Sequence, residues 1–275
     1  MSVAVAIGTF DGVHRGHRRV IETALATGLP VRVLTFHPHP RSVASGNLVE
    51  LISTVERRRE LLGELGVTET TVVDFTLEVS RQEPEDFAAE RLAGAGVVIA
   101  GEGFRFGHKR RGDLALLERL GHEVRPVPLL PGVSSTEIRR RMHTGEMEEA
   151  AHLLGRQPEL DGVVVSGDQR GGTLGYPTAN LAVEPGLLVP RYGIYAGAAL
   201  DHRAAISIGL NPHYGGAERR IEPHLLDFEG DLYGKRLVVE LWRRLRDEQV
   251  FESEQDLIDQ IARDVEATRM AVRPA

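Results

Sequence analysis

The chain has 275 residues, which is longer than a typical single domain and predicts two domains of unequal size. Its 33 basic and 40 acidic side chains give a formal net charge of −7, which argues against a protein that mainly coats nucleic acid or an anionic membrane. The absence of cysteine excludes disulfides, a thiol nucleophile and cysteine-ligated metals. We find no signal-peptide pattern and no apolar run near the roughly 20 residues of a membrane span, and therefore expect a soluble, cytoplasmic protein.

The first half alternates short apolar runs with amphipathic stretches. Blocks rich in β-branched residues, which are typical of buried parallel strands, are VAVAIG, VRVLTF, TTVVDF and GVVIAG. Between them lie stretches whose apolar residues recur every three or four positions and which end at glycine: RRVIETALATG, TVERRRELLGELG and EPEDFAAERLAGAG. This alternation predicts an α/β fold with an open parallel sheet, which binds its ligands beyond the carboxyl ends of the strands.

After residue 155 the pattern changes to short strand-like runs broken by glycine or proline. The runs are GVVVSG, YGIYAGAAL, AAISIGL, IEPHLLDF and KRLVVELW, and their close spacing predicts a small antiparallel barrel. The final amphipathic stretch, SEQDLIDQIARDVEATRM, predicts one closing helix. We place the boundary in GRQPE, which gives predicted domains at 1–155 and 156–275.

The segment AIGTFDGVHRGH, directly after the first predicted strand, has the features of an anion site. A strand, a glycine turn and a helix start leave free backbone N–H groups at the positive end of the helix dipole. His14 and His17 add two donors beside the same turn, where they are placed to hold phosphate oxygens as negative charge develops. The alternative is two surface histidines beside a turn, and the ordered set Gly12, His14, Gly16 and His17 argues against it.

Two further segments of the first half point to a nucleotide site. SSTEIR is a second helix start, which places Thr136 and Arg139 to face the same phosphate chain. GEGFRFGHKRRGD is a glycine-rich loop whose Phe104 and Phe106 are suited to stacking on a planar ring. Capping of a helix and a solvated basic surface are the alternatives for these two segments.

In this order, GTFDGVHRGH, TFHPHPRSV, GFRFGHKRRGD and SSTEIR resemble the adenylyltransferase half of the bacterial bifunctional riboflavin kinase/FAD synthetase family. The resemblance implies an HxGH-type nucleotidyltransferase with a Rossmann-like sheet, which moves AMP from ATP to FMN and releases pyrophosphate. It implies that His14, His17 and Arg139 are catalytic. The ATP-binding residues that it implies in this half are Gly8, Phe10, Asp11, Gly12, Gly16, Ser135 and Thr136. Those that it places near the flavin are Phe36, Pro38, His39, Phe104 and Phe106.

A second constellation lies in SGDQRGGTLGYPTANL. Thr178 and Asn180 are two residues apart and therefore share one face if this segment is extended. A hydroxyl and an amide oxygen are hard ligands that suit Mg²⁺, which also shares phosphate oxygens with the protein. An ordinary turn leading into a strand is the alternative for PTAN alone, and the glycine loop before it and RIEPHLLDF after it favour the metal-nucleotide site.

The second half resembles the riboflavin kinase module of the same family, a six-stranded antiparallel barrel with a terminal helix. The resemblance implies that Thr178 and Asn180 contact MgATP, that Glu222 is the catalytic base and that Arg246 contacts the flavin. The ATP-binding residues that it adds are Gly167, Arg170 and Gly175. The substrates and cofactors implied for the whole chain are riboflavin, FMN, ATP and Mg²⁺, with no nucleic acid and no membrane.

Some positions depart from the family pattern and leave alternatives open. They are Gly103 in the first half, and Gly172, His213 and Pro223 in the second. The alternatives are activity in only one half, a nucleotidyltransferase with a different phosphorylated acceptor, and a flavin- or nucleotide-binding regulator without catalysis. Pro223 also removes a backbone donor from a predicted strand, which predicts that this strand lies at an edge or contains a bulge.

Overall fold

The computed structural model of the chain describes residues 2–166, 175–211 and 218–274. The chain divides into two compact units, residues 1–135 and residues 136–275.

A parallel sheet forms the centre of the first unit. Its strands are β1 (Val3–Ile7), β2 (Val31–His37), β3 (Glu69–Asp74), β4 (Ala95–Gly101) and β5 (Val124–Val127). Its helices are α1 (Arg15–Leu25), α2 (Pro40–Ser45), α3 (Val55–Glu64), α4 (Leu77–Arg81), α5 (Pro84–Arg91) and α6 (Leu114–Arg119). The strand order is β3-β2-β1-β4-β5 and every pair is parallel. The parallel α/β fold predicted for this half is therefore confirmed.

β1 lies where the chain changes sides in this sheet. β2 and β3 follow on one side of β1, whereas β4 and β5 lie on the other. In open α/β sheets, ligands bind beyond the carboxyl ends of the strands at such a switch point. The loop that leads from Gly8 to His14 leaves β1 at this place and continues into α1.

The two faces of β1 belong to separate cores. Ala4 and Ala6 pack into the core on one face, and Val5 and Ile7 into the core on the other. Successive side chains of a strand point to opposite faces, so both faces of this strand are buried. This double burial explains why the strand has a continuous apolar sequence rather than an alternating one.

An antiparallel sheet forms the second unit. Its strands are β6 (Glu159–Val165), β7 (Asn180–Val183), β8 (Gly193–Ala199), β9 (His202–Asn211), β10 (Glu218–Leu225) and β11 (Arg236–Arg246), in the order β10-β9-β8-β11-β6-β7. The helices are α7 (Ser135–Thr144), α8 (Met147–Leu154) and the terminal α9 (Glu254–Met270). No helix among the described residues is long and apolar enough to span a bilayer.

The two end strands of this sheet come together. The backbone N–H of Ala179, just before β7, donates to the carbonyl of Pro223 on β10 at 2.9 Å. The predicted six-stranded barrel with a closing helix is therefore confirmed, in a nearly closed form.

The domain boundary predicted at 155/156 stays a prediction, and the division into compact units is a separate observation. This division falls after Ser135, because α7 and α8 group with the barrel. The backbone N–H of Arg191 donates to the carbonyl of Met142 on α7 at 3.3 Å. A Cβ on Gly145, between the two helices, would lie 2.6 Å from Cδ of Arg244 on β11.

Candidate active sites

The turn after β1 places two imidazoles against each other at the start of α1. His14 is the N-cap of this helix, and its Nδ1 accepts a hydrogen bond from the backbone N–H of His17 at 3.3 Å. The two rings are stacked, with centroids 3.6 Å apart and planes inclined by 14°. Because Nδ1 of His14 accepts this bond, a neutral His14 ring carries its proton on Nε2.

The start of α1 suits an anion electrostatically. The first turn contains no acidic side chain that would cancel the positive end of the helix dipole. His14 is buried, whereas Gly16 and His17 remain partly exposed at the end of the helix. The structure thus brings the two histidines and the helix start together, as the sequence predicts.

The structure requires glycine at both Gly12 and Gly16, but for different reasons. A Cβ on Gly16 would lie 3.2 Å from both Cε1 and Nδ1 of His14, so glycine makes room for the imidazole. Gly12 has a φ of +77°, and a Cβ there would lie 2.7 Å from Cγ2 of Ile52. A larger residue at either position would therefore displace the loop or the His14 ring.

Asp11 and its neighbours support the loop from below. The Asp11 carboxylate is fully buried, and its Oδ1 accepts hydrogen bonds from the backbone N–H groups of Ile52 at 2.9 Å and Ser53 at 3.2 Å. The N–H of Gly12 donates to Oγ of Ser53 at 3.0 Å, and the hydroxyl of Ser135 donates to the Asp11 carbonyl at 3.2 Å. These contacts are within the protein, and the predicted binding of ATP by Asp11, Gly12 and Ser135 stays a prediction.

Phe10 packs within the protein beside the imidazoles. It is buried, and its ring centroid lies 5.2 Å from that of His17. A Cβ on Gly8 would lie 3.3 Å from the Phe10 ring, so the absence of a side chain at Gly8 leaves space for this ring.

Thr136 and Arg139 lie near the start of α7, within the second unit. On the same helix, the Glu137 carboxylate accepts hydrogen bonds from Arg140 at 2.9 Å and Arg141 at 2.8 Å. These bonds lower the pKa of Glu137 to about 2, so that it is ionised at neutral pH. The roles predicted for Thr136 and Arg139 in ATP binding stay predictions.

Phenylalanine rings cluster in the part of the first unit where the flavin is predicted. Phe36 packs edge-on against Phe75 with centroids 5.6 Å apart. Phe106 lies 5.6 Å from Phe87 and 5.7 Å from Phe104. Phe36 and Phe106 are each only 6% exposed and belong to the core, whereas Phe104 is partly exposed. Phe104 is therefore the most accessible of these three phenylalanines, and the predicted contact of all three with a flavin stays a prediction.

Pro38 and His39 follow β2 at the same sheet edge as the loop after β1, because β1 and β2 are parallel neighbours. The peptide bond between His37 and Pro38 is cis. His39 is the N-cap of α2, and its Nδ1 accepts from the backbone N–H of Arg41 at 3.1 Å. Their predicted contact with a flavin stays a prediction.

In the second unit, the segment before β7 lies along β10. Besides the bond from Ala179 to Pro223, Nδ1 of His224 lies 2.7 Å from the carbonyl oxygen of Pro177. The rings of Tyr176 and His224 meet edge to face, with centroids 5.6 Å apart. Three contacts thus hold the two segments together at the place where the barrel closes.

This closure brings the predicted metal-binding pair beside the predicted base. Thr178 and Asn180 flank the residue that bonds to β10, and Glu222 directly precedes the residue that accepts this bond. The residues on either side of Glu222 are buried and Glu222 is partly exposed, which places it on the outer side of the barrel. Ser207 is its partner on β9, and Nη1 of Arg220 lies 3.7 Å from one of its carboxylate oxygens.

Pro223 occupies an edge, as predicted. β10 ends the hydrogen-bonded ladder, and its register with β9 is continuous from Glu218 to Leu225 without a bulge. The proline carbonyl accepts from the segment before β7, so the missing N–H is on the side away from β9. The ladder therefore loses no hydrogen bond to this proline.

The remaining predicted nucleotide-binding residues of this half belong to the glycine loop. Gly175 adopts a φ of +84°, which favours glycine. Gly167 and Arg170 lie outside the described residues, as do Gly172 and His213.

Arg246 is engaged within the protein. Its Nε and Nη2 donate to the Asp264 carboxylate on α9 at 2.9 Å and 2.6 Å, and its guanidinium lies 6.0 Å from the ring of Phe251. This bidentate pair attaches α9 to β11. The predicted flavin contact of Arg246 stays a prediction.

Both halves of the chain match known families. Residues 1–136 match the family described as FAD synthetase, and residues 154–272 match the family described as riboflavin kinase. The bifunctional riboflavin kinase/FMN adenylyltransferase of Listeria monocytogenes is 35% identical and aligns with 96% of this chain and 91% of its own length. The Escherichia coli K12 protein of the same name is 33% identical, over 94% of this chain and 90% of its own. The chain belongs to the bifunctional riboflavin kinase/FMN adenylyltransferase family.

A solved structure resembles this chain over nearly its whole length. It is described as a macrolide-efflux protein from Streptococcus pneumoniae, is 31% identical, has a TM-score of 0.88 and covers 98% of this chain and 95% of its own. The efflux description applies to the Streptococcus protein alone. The likeness extends over both units and accords with the two family matches.

The predicted site residues do not include a buried arginine beneath the first site. Arg58 on α3 is 1% exposed, and its Nη2 lies 3.7 Å from Oδ1 of Asp11. In the sequence it is the middle of three arginines, and such a run is typical of a solvated helix surface. Its burial could have been predicted from its spacing to the leucines. Arg58 precedes Leu61 by three residues and Leu62 by four, so the three side chains share the buried face of the helix.

Proposed function

We propose that this chain converts riboflavin to FAD in two ATP-dependent steps. The second half phosphorylates riboflavin to FMN, and the first half transfers AMP from ATP to FMN. The observation that most directly supports this is that, in each half, the side chains expected to act on phosphate lie close together. Stacked His14 and His17 lie at a helix start, and Glu222 lies beside the Thr178–Asn180 segment.

The adenylyl transfer needs no general base. An ionised oxygen of the FMN phosphate attacks the α-phosphorus of ATP, and the bond from this phosphorus to the bridging oxygen of pyrophosphate breaks. What the protein supplies is position and stabilisation of the developing negative charge. Nε2–H of His14, the imidazole of His17 and the N–H groups of the first turn of α1 are the donors that serve this role.

The phosphorylation of riboflavin does need a base. The 5′-hydroxyl of the ribityl chain is neutral and loses its proton as its oxygen attacks the γ-phosphorus, while the bond to the bridging oxygen of ADP breaks. Glu222 accepts this proton, and its partly exposed position on the outer side of the barrel gives a substrate access to the carboxylate. Arg220, 3.7 Å from Glu222, adds positive charge beside the transferred phosphoryl group.

Mg²⁺ fits the second site through oxygen ligands. The described residues contain no group of three or more histidine, aspartate or glutamate side chains arranged to hold a metal. The Thr178 hydroxyl and the Asn180 amide oxygen are hard ligands of the kind that Mg²⁺ prefers, and they would hold the ion beside the phosphates of ATP. When bound, the ion neutralises phosphate charge.

Product analysis by mass after incubation of the chain with riboflavin and MgATP tests both steps. We expect FMN followed by FAD, and release of pyrophosphate when FMN is supplied instead of riboflavin. Folded protein that forms neither FMN from riboflavin nor FAD from FMN would exclude the proposal. Preferential use of another phosphorylated acceptor over FMN would favour the alternative nucleotidyltransferase.

A further inference from the structure

The loop that carries His14 has an unfavourable backbone conformation. Phe10 and Val13 have φ values of 47° and 40°, in the left-handed region. A β-branched residue such as valine is a genuine outlier there. Such conformations persist only where the surrounding structure enforces them, and they concentrate at functional sites.

A buried ion pair is part of that surrounding structure. Nη2 of Arg58 lies 3.7 Å from Oδ1 of Asp11, and the two side chains are 2% and 0% exposed. Asp11 belongs to the strained loop, and the same carboxylate oxygen accepts the N–H groups that precede α3. Loss of Arg58 would remove this cation from the buried Asp11 carboxylate, which favours displacement of the loop that carries Asp11.

The same guanidinium reaches the end of the neighbouring strand. Nη1 of Arg58 donates to Oγ1 of Thr35 and to the carbonyl of Phe36, both at 3.3 Å. The Thr35 hydroxyl in turn donates to the carbonyl of Thr9 in the loop at 2.8 Å. Arg58 therefore connects the loop with the two imidazoles to the end of β2, from which the chain continues to the predicted flavin residues.

The other arginines of the run are placed differently on the helix. Arg57 pairs with Glu60 at 3.0 Å and Glu64 at 3.1 Å on its own helix, and Arg59 is exposed. The position of Arg58 on the buried face of α3 thus distinguishes it from chemically identical neighbours.

We propose that Arg58 is a positioning residue for adenylyl transfer. It holds the loop between β1 and α1 in register with the end of β2, and so sets the imidazoles of His14 and His17 relative to the acceptor. It acts through Asp11 and Thr35. This inference rests on the function proposed above for the first half.

The test compares Arg58→Met and Arg58→Lys in the full chain with the matched surface variant Arg59→Met. We expect Arg58→Met to lower kcat/KM for FAD formation from FMN by about tenfold to a hundredfold, the range that follows from a small misplacement of reacting groups. Riboflavin phosphorylation by the same preparation serves as the internal control and should change by less than about twofold, as should both activities of Arg59→Met. Arg58→Lys should recover part of the loss, because it keeps the charge but lacks the planar fork.

Measurement of the KM for ATP distinguishes a displaced loop from a smaller fraction of folded protein. A purely structural role lowers the active fraction and hence the apparent kcat, whereas a displaced loop also raises the KM for ATP. Folded Arg58→Met with wild-type kcat and KM for both substrates would overturn the inference. If Arg58→Met does not fold, the same result for folded Arg58→Lys would overturn it. A wild-type chain that makes no FAD would instead refute the function proposed for the first half.

Discussion

Among single residues, His17 is the one whose substitution tests the first reaction most directly. His17→Ala removes one of the two stacked imidazoles but keeps the backbone N–H that donates a hydrogen bond to Nδ1 of His14. We expect FAD formation from supplied FMN to fall about 10²–10³-fold, as when one preorganised donor is removed from an active site. Chromatographic separation of FMN and FAD measures this, and phosphorylation of riboflavin should persist. Equal loss of both activities in folded protein would contradict the assignment.

Glu222→Gln is the reciprocal change for the second reaction. The amide has the same shape as the carboxylate but does not accept the hydroxyl proton, so FMN formation should fall about 10²–10⁴-fold. FAD formation from supplied FMN should be unaffected, since that attacking oxygen is already ionised. The two assays use the same preparation, and a variant that phosphorylates riboflavin at the wild-type rate would eliminate Glu222 as the base.

Gly16→Ala tests the close approach of the His14 ring. The new Cβ would lie 3.2 Å from the imidazole, and we expect the displaced ring to cost about tenfold in FAD formation. Gly63→Ala is the matched control, because Gly63 also lies in a helix but its Cβ would have no neighbour within 4 Å. That control should raise the free energy of unfolding by about 0.5–1 kcal/mol and leave FAD formation intact. Normal FAD formation by Gly16→Ala would show that the ring tolerates the methyl group.

Among the elements, α9 should depend for its attachment more on its shielded ion pair with β11 than on its exposed pair. The Arg246–Asp264 side chains are 17% and 10% exposed, whereas those of Arg269 and Asp227 are 44% and 70% exposed. Asp264→Ala should therefore approach the roughly 3–5 kcal/mol lost when one partner of a buried pair is removed. Asp227→Ala should cost about 0–1 kcal/mol. Denaturant unfolding followed by fluorescence of Trp242, the only tryptophan in the chain, reports on this unit. Equal losses for both variants would contradict the ranking.

Strands could be predicted from the sequence where their hydrophobic pattern was strong. Strands β1, β2 and β4 are largely apolar because helices cover both faces of the sheet, whereas β3 lies at its edge and only Val73 of it is buried. The sequence of β5, VRPV, has an arginine and a proline at its two middle positions, and both are exposed, so no apolar block marks it. For β7 the sequence predicts only an extended segment. Its four residues are too few to show the alternation of apolar and polar side chains that marks a strand.

At the scale of the whole molecule, the two chemistries should be separable between copies of the chain. His17→Ala should convert riboflavin to FMN and stop, and Glu222→Gln should leave riboflavin unchanged. A mixture of the two variants should form FAD, because FMN released by one copy is a substrate for the other. Mass analysis of the mixture measures this, with each variant alone as the control. No FAD from the mixture, with each variant active in its own half-reaction, would show that FMN does not exchange between copies.

Local sequence patterns were enough to predict the fold class, the two kinds of chemistry and the short-range parts of both sites. His14, Gly16 and His17 lie within one turn, and Thr178 and Asn180 are two residues apart, so backbone geometry alone relates their side chains. The tertiary structure decided which distant residues meet. Arg58 reaches Thr35 and Asp11 only through the packing of α3 on the sheet, and Glu222 reaches the Thr178–Asn180 segment only through closure of the barrel. Such contacts depend on strand register and on burial summed over the whole core, and no local spacing in the sequence encodes them.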